Sequence, residues 1–177
     1  MVSIHDRPVE VQGRQVAGHW EGDLIKGAGN ASAVGTLVER KSRFVLLAKV
    51  DHPDAESVLE GFTRRLRTLP ASLRKTLTYD QGREMARHQD LAQRLNIRVY
   101  FADPHSPWQR PSNENTNGLI RQYLPKGMDL SGVSQRRLTQ IATALNTRPR
   151  KCLGFQTPEE VMSREINQLN SRVALQT

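Results

Sequence analysis

GHWEGDLIKGAGNASAVGTLVERKSRFVLLAKV, residues 18–50, is the stretch that decides the fold. Trp20-Glu21-Gly22-Asp23-Leu24-Ile25 alternates apolar and polar, as a half-buried strand does. Gly27-Ala28-Gly29-Asn30 is turn material. Ala33 to Glu39 reads as a second strand, Lys41-Ser42-Arg43 as a polar turn, and Phe44 to Val50 as a third strand. Three consecutive strands with short joins predict an antiparallel meander.

Working outward, the period changes. Asp54 is placed to cap a helix, and Ala55, Val58, Leu59, Phe62, Leu66 and Leu69 fall at helical spacing before Pro70 ends it. Leu77 to Tyr79 is a short apolar strand that runs into Asp80-Gln81-Gly82. A helix follows around Gln89 to Leu95, then a strand over Ile97 to Ala102. Pro104, Pro107 and Pro111 mark a loop that leads to a helix from about Ser112 to Tyr123, and a further helix uses Leu138, Ile141 and Leu145. The strand–helix–strand order implies a parallel pair joined by a crossover. The expected class is α/β, a mixed sheet with a three-strand meander plus parallel strands and helices on both faces. Residues 1–17 are polar with little periodicity and read as an N-terminal arm or linker remnant, 18–165 as the core and 166–177 as a C-terminal tail.

Composition narrows the function. The chain has 177 residues, long enough to bury a core without staples. The longest apolar run, Phe44 to Ala48, is far short of a membrane span, and the N-terminus lacks a signal-peptide pattern. A single cysteine, Cys152, forms no internal bridge, which fits a reducing cytoplasm, and it reads as a small apolar residue. Lys plus Arg is 26 against 18 Asp plus Glu, and 20 of the 26 are Arg. Residues 1–60 hold 7 basic and 9 acidic side chains, whereas residues 61–177 hold 19 and 9. A basic C-terminal half rich in planar guanidinium groups suits a polyanion such as nucleic acid, although a merely basic protein has the same composition.

Three carboxylates carry the chemistry. Asp23 sits in a strand, Asp80 at a strand end before a glycine, and Glu114 in the first turn of a helix behind the proline-rich loop. Strand ends in α/β sheets share a crevice. Carboxylates meeting there need a counter-charge, which hard divalent cations such as Mg²⁺ supply. Taken singly, Asp80 is also a turn former and Glu114 a helix-dipole partner. Asp23 inside an apolar strand is harder to dismiss, because burying an unpaired carboxylate is costly.

The segments GHWEGDLI (18–25), TLVERKSRFVLL (36–47), TYDQGREMARH (78–88), VYFADPHSPWQRPSNENTNGLIRQYLPKG (99–127) and LNTRPRKCLGFQTPEEV (145–161) closely resemble the catalytic domain of IS30-family transposases. That family lies in the wider DDE transposase and retroviral-type integrase superfamily. The resemblance implies an RNase H-like fold, cleavage of DNA at transposon ends and joining of the 3′-OH to target DNA, with two Mg²⁺ or Mn²⁺ ions. It places Asp23 of WEGD, Asp80 of YDQG and Glu114 of SNEN as the catalytic, metal-holding triad, with 33 residues between the last two. It also implies a homodimer or higher oligomer on transposon-end and target DNA. Gln81 and Pro111 depart from the family's more usual Asn and Gly. Family members carry an upstream helix-turn-helix that reads the transposon ends, so this chain is expected to lack sequence-specific end recognition.

Around the triad, Asn113, Asn115, Asn117 and Arg121 share one helix with Glu114, and Arg148, Arg150 and Lys151 form a compact basic cluster. With Lys126, the residues Asn115, Asn117, Arg121, Arg148, Arg150 and Lys151 are candidate DNA contacts. Trp108 reads first as a packing residue that pins the proline loop, with base stacking as the other use. His88 and His105 read as structural. Two other readings stay open: a non-catalytic DNA-binding or dimerising remnant of a truncated transposase, and a general RNase H-like nuclease.

Overall fold

The computed structural model describes residues 1–176. The meander is present: β1 (His19–Lys26), β2 (Ala33–Glu39) and β3 (Val45–Val50) pair antiparallel in chain order. Helix α1 (Ala55–Leu66) crosses to β4 (Thr76–Tyr79), and α2 (His88–Leu95) crosses to β5 (Arg98–Phe101). Both crossovers return parallel strands, so the five-stranded sheet has the order β3-β2-β1-β4-β5. Three helices follow: α3 (Pro111–Ile120), α4 (Gln135–Asn146) and α5 (Pro158–Gln176).

Alternation along each strand splits the core. Trp20, Leu24, Leu37, Phe62, Leu66, Leu77, Tyr79, Leu91 and Leu95 form one buried cluster, which packs α1 and α2 on one face. Ile25, Val34, Val38, Leu47, Ile120, Leu138, Ile141 and Leu145 form the other, beneath α3 and α4. Asp54 caps α1 as expected, accepting the Ser57 N–H at 2.8 Å. Phe62 is fully buried against the sheet, and removing a side chain of that size costs about 3–5 kcal/mol.

Two elements differ from expectation. Helix α5 runs through position 166 to Gln176, where a tail is expected. Its start carries a capping box: the Glu160 N–H donates to Thr157 Oγ1 at 3.1 Å, and the Thr157 N–H donates to Glu160 Oε2 at 3.3 Å. The N-terminal arm is tied down. Val11 and Ala17 are buried, Ser3 bridges Phe101 in parallel, and Arg7 donates to Thr78 Oγ1 at 3.1 Å. Among the described residues no helix is long and apolar enough to cross a membrane.

Candidate active site

The register positions the first two carboxylates. Parallel pairing of β1 with β4 ends at Glu21↔Thr78, so two residues further on Asp23, still paired with Thr36 of β2, and Asp80, just past the end of β4, stand at the same level. Gly22 permits this approach: a Cβ there would come within 2.9 Å of the Tyr79 ring and 3.0 Å of Leu77. Asp23 is 26% exposed and Asp80 42%. Asp80 Oδ1 accepts the Gly82 N–H at 3.1 Å, so its turn-forming role and its place at the site coexist.

A guanidinium joins the two. Arg110, the N-cap residue of α3, places Nη1 3.7 Å from Asp23 Oδ2 and Nη2 3.5 Å from Asp80 Oδ2. Arg110 Nη1 also donates to the Gly22 carbonyl at 2.9 Å. Asp23 Oδ2 further accepts from Asn117 Nδ2 at 3.0 Å, and Asp23 Oδ1 from the Leu24 N–H at 2.9 Å. Burial pushes the Asp23 carboxyl above its ordinary range, and the charge of Asp80 adds to the push. Arg110, the Leu24 N–H and Asn117 oppose it.

Helix α3 is set across this point. Pro111 occupies its first turn, where a missing N–H costs nothing, so the departure from Gly suits the helix start. The Asn113 N–H donates to the buried Glu21 carboxylate at 2.7 Å, and Thr36 Oγ1 donates to Asn113 Oδ1 at 3.2 Å. Arg110, Glu114, Asn117 and Arg121 form one stripe along the helix. Its other three members contact β1 residues Gly22, Asp23 and Lys26, so Glu114 lies on the stripe that crosses Asp23. Glu114 is exposed, and its carboxylate has no hydrogen bond or ion pair among the described residues. The structure therefore draws Asp23 and Asp80 onto one cation and leaves Glu114 free. Among the described residues no group of three His, Cys, Asp or Glu side chains is gathered closely enough to hold a metal.

The donor set suits a hard cation nonetheless. Two carboxylates already converge on a positive group. Beside them Asn117 Oδ1 is buried without a hydrogen-bond partner among the described residues, an oxygen available to an ion or its water. A cleft of about 540 Å³ opens next to this point, lined by Asp80, Gly82, Asp103, His105, Pro107 and Arg110. A larger, open depression along α5, lined by Thr147, Glu160 and Arg164, includes none of the triad.

The remaining candidates divide. Arg121 donates to the carbonyls of Lys26 (3.1 Å) and Leu124 (3.3 Å), which spends its donors on the backbone. Asn115, Lys126 and Lys151 are exposed. Arg148 donates to the Tyr123 hydroxyl at 3.2 Å. Burial lowers the Arg150 pKa, and the like charges of Arg43 and Arg148 add to the lowering. Arg43 therefore joins this cluster, and its Nη1 donates to Ser112 Oγ at 3.1 Å on the first turn of α3. Trp108 is 68% exposed, so the packing role expected for it does not hold: the loop is pinned instead by Gln109, which pairs with Asp103. His88 is structural as expected, with Nδ1 2.9 Å from the Met85 carbonyl and its ring edge-on to Phe101. Cys152 is exposed rather than packed as an apolar residue. Arg110 and Glu21 join the site through contacts that the sequence motifs do not show. The position of Arg110 four residues before Glu114, one helical turn away, is the signal the sequence carries for it.

The backbone is shared with a well-defined class. The catalytic core domain of BIV integrase superposes with a TM-score of 0.65 at 18% identity, covering 86% of this chain and 99% of that one. The mixed five-stranded sheet with its flanking helices is thus the RNase H-like fold of retroviral integrase cores. The chain belongs to the integrase core domain family, whose model matches residues 13–107. It is 60% identical over 176 residues to the transposase for insertion sequence element IS1086 of Cupriavidus metallidurans, covering 99% of this chain and 52% of that protein. It is 47% identical over 163 residues to transposase InsI for insertion sequence element IS30A of Escherichia coli, covering 92% of this chain and 42% of that protein. The chain spans about half the length of the curated relatives it matches.

Proposed function

We propose that this chain is a transposase catalytic core that cleaves DNA at transposon ends and joins the freed 3′-OH to target DNA, acting as an oligomer. The observation that carries the reading is the convergence of Asp23 and Asp80 on Arg110 at the end of the β1–β4 pair, beneath the α3 stripe that bears Glu114. Asp23, Asp80 and Glu114 would hold Mg²⁺ or Mn²⁺, which supplies Lewis-acid stabilisation of the phosphoryl group and a more acidic attacking water. Asn117 fixes the rotamer of Asp23 by its hydrogen bond. Glu21 holds the first turn of α3 against β1 and so sets where Glu114 can reach. The Arg43, Arg148 and Arg150 cluster, with exposed Lys126 and Lys151, offers a cationic track for the phosphate backbone.

The test is strand nicking of duplex DNA and of RNA–DNA hybrid in Mg²⁺ or Mn²⁺, with Asp23→Asn and Asp80→Asn beside the wild type. Metal-dependent nicking of DNA that both substitutions abolish supports the reading. Nicking that survives both, or cleavage confined to the RNA strand of the hybrid, would overturn it. A metal-induced rise in melting temperature that Asp23→Ala removes is the companion measurement.

A further inference from the structure

Arg110 is 8% exposed, yet its guanidinium is unevenly satisfied. One full hydrogen bond goes to the Gly22 carbonyl at 2.9 Å. The contacts to Asp23 and Asp80 are long, at 3.7 and 3.5 Å, and Nε is buried without a partner among the described residues. The group lies 6.0 Å from the Tyr79 ring centroid, and Arg110 lines the 540 Å³ cleft beside Asp80. It is a fixed positive charge between two carboxylates, held to them by charge rather than by well-made hydrogen bonds. Resting on the reading above, we propose that Arg110 is a positioning residue that acts as a built-in counter-cation. It keeps Asp23 and Asp80 facing each other before substrate arrives, and turns to a DNA phosphate in the adjacent cleft when substrate binds. The planar fork of arginine matches a phosphate bidentately, whereas both carboxylate contacts here are single and long. A divalent ion entering beside the guanidinium meets like charge, and the phosphate removes that opposition. DNA and metal binding are then positively coupled through this one side chain.

The test is Mn²⁺ affinity, read from the loss of the free-ion electron paramagnetic resonance signal, with and without a short duplex and corrected for uptake by the duplex alone. Without DNA, Arg110→Gln should bind Mn²⁺ about tenfold more tightly than wild type, within the usual range of such couplings. Adding DNA should raise the wild-type affinity by about tenfold and that of Arg110→Gln far less. Arg110→Lys keeps the charge without the fork, and should bind Mn²⁺ as weakly as wild type in the absence of DNA. Equal or weaker Mn²⁺ binding by folded Arg110→Gln without DNA would overturn the proposal. So would a wild-type affinity indifferent to DNA, a comparison that needs no variant to fold. No Mn²⁺ uptake by wild type, with DNA present, would remove the metal-dependent reading and this proposal together. Uptake that does not depend on Arg110 would remove this proposal alone.

Discussion

Glu21 Oε2 accepts the backbone N–H of Asn113 at 2.7 Å, across 92 residues of sequence, while its other oxygen pairs with Arg40. The carboxylate is fully buried, and burial raises its pKa against the opposing pull of Arg40 and the Asn113 N–H. Glu21→Gln keeps an acceptor for Asn113 and strands the buried Arg40 charge. Breaking one side of such a pair costs about 3–5 kcal/mol, and that loss should appear in urea unfolding. The double change Glu21→Met with Arg40→Met removes both charges and should recover part of it. What remains should reflect the orphaned Asn113 N–H and the Val11 carbonyl that loses Arg40 Nε, at about 1–3 kcal/mol each at most. A loss below about 1 kcal/mol in the single variant would contradict the burial of a charged pair.

His19 gives a pH signature. It is 1% exposed, its Nδ1 lies 2.8 Å from Thr76 Oγ1, and its Nε2 lies 3.2 Å from Glu10 Oε1. Burial lowers its pKa below the ordinary value of 6.5, and the attraction of Glu10 only partly offsets that. The folded pKa is depressed, so the unfolded chain takes up the proton first. The His19 contribution is intact above about pH 6.5, is lost as pH falls below it, and levels off beneath the folded pKa. Wild-type stability should decline over that window, and His19→Gln should flatten the slope there. A variant with the same slope as wild type would show that His19 does not titrate differently on folding.

What the residues disclose on their own depends on how local their partners are. The meander is legible because Trp20, Leu24 and Ile25 alternate with polar neighbours under short turns. Asp23 and Asp80 are legible as acids in motifs, one inside a strand and one at a strand end. Arg110 is not, because its partners are Gly22 and Asp80, 88 and 30 residues away, and one arginine in a proline-rich loop has no period. Glu21 reads as an ordinary polar position in an alternating strand, and it is α3 on one oxygen and Arg40 on the other, both distant in sequence, that bury it. Helix α5 hides for the opposite reason: it buries just Pro158, Val161 and Met162, so its apolar period is faint and only the Thr157–Glu160 box announces it.

Binding of this chain to DNA should be electrostatic and nearly blind to sequence. The cationic side chains near the site, Arg43, Arg148, Arg150 and Lys151, are suited to phosphates rather than base edges. Affinity measured by fluorescence anisotropy should fall steeply between low and moderate salt, with a log–log slope of about −0.9 per phosphate neutralised. Arg148→Ala and Lys151→Ala should each weaken binding on every duplex alike and reduce the slope by about one. A preference of tenfold or more for transposon-end DNA, held across salt concentrations, would contradict this.

Glu114 supplies the most discriminating test, because its carboxylate is exposed and unengaged while its helix is firmly held. It sits in the first turn of α3. Glu114→Gln keeps the size, removes the charge and breaks no side-chain hydrogen bond or ion pair among the described residues, so stability should change by less than about 0.5 kcal/mol. DNA affinity should stay within a few-fold or rise, since repulsion between carboxylate and phosphate is relieved. Metal-dependent cleavage should fall by orders of magnitude if Glu114 completes the metal-holding set, because the interaction lost is one made in the transition state. Asp23→Asn should lose cleavage to the same extent. Pro111→Gly puts at the helix start the residue expected from the family resemblance and should leave cleavage within a few-fold, since Pro111 already occupies a position that suits it. Cleavage left intact by Glu114→Gln but abolished by Asp23→Asn would transfer the third role to another carboxylate. Asp103 is tied to Gln109 and His5, so Glu84 would then be the side chain to change.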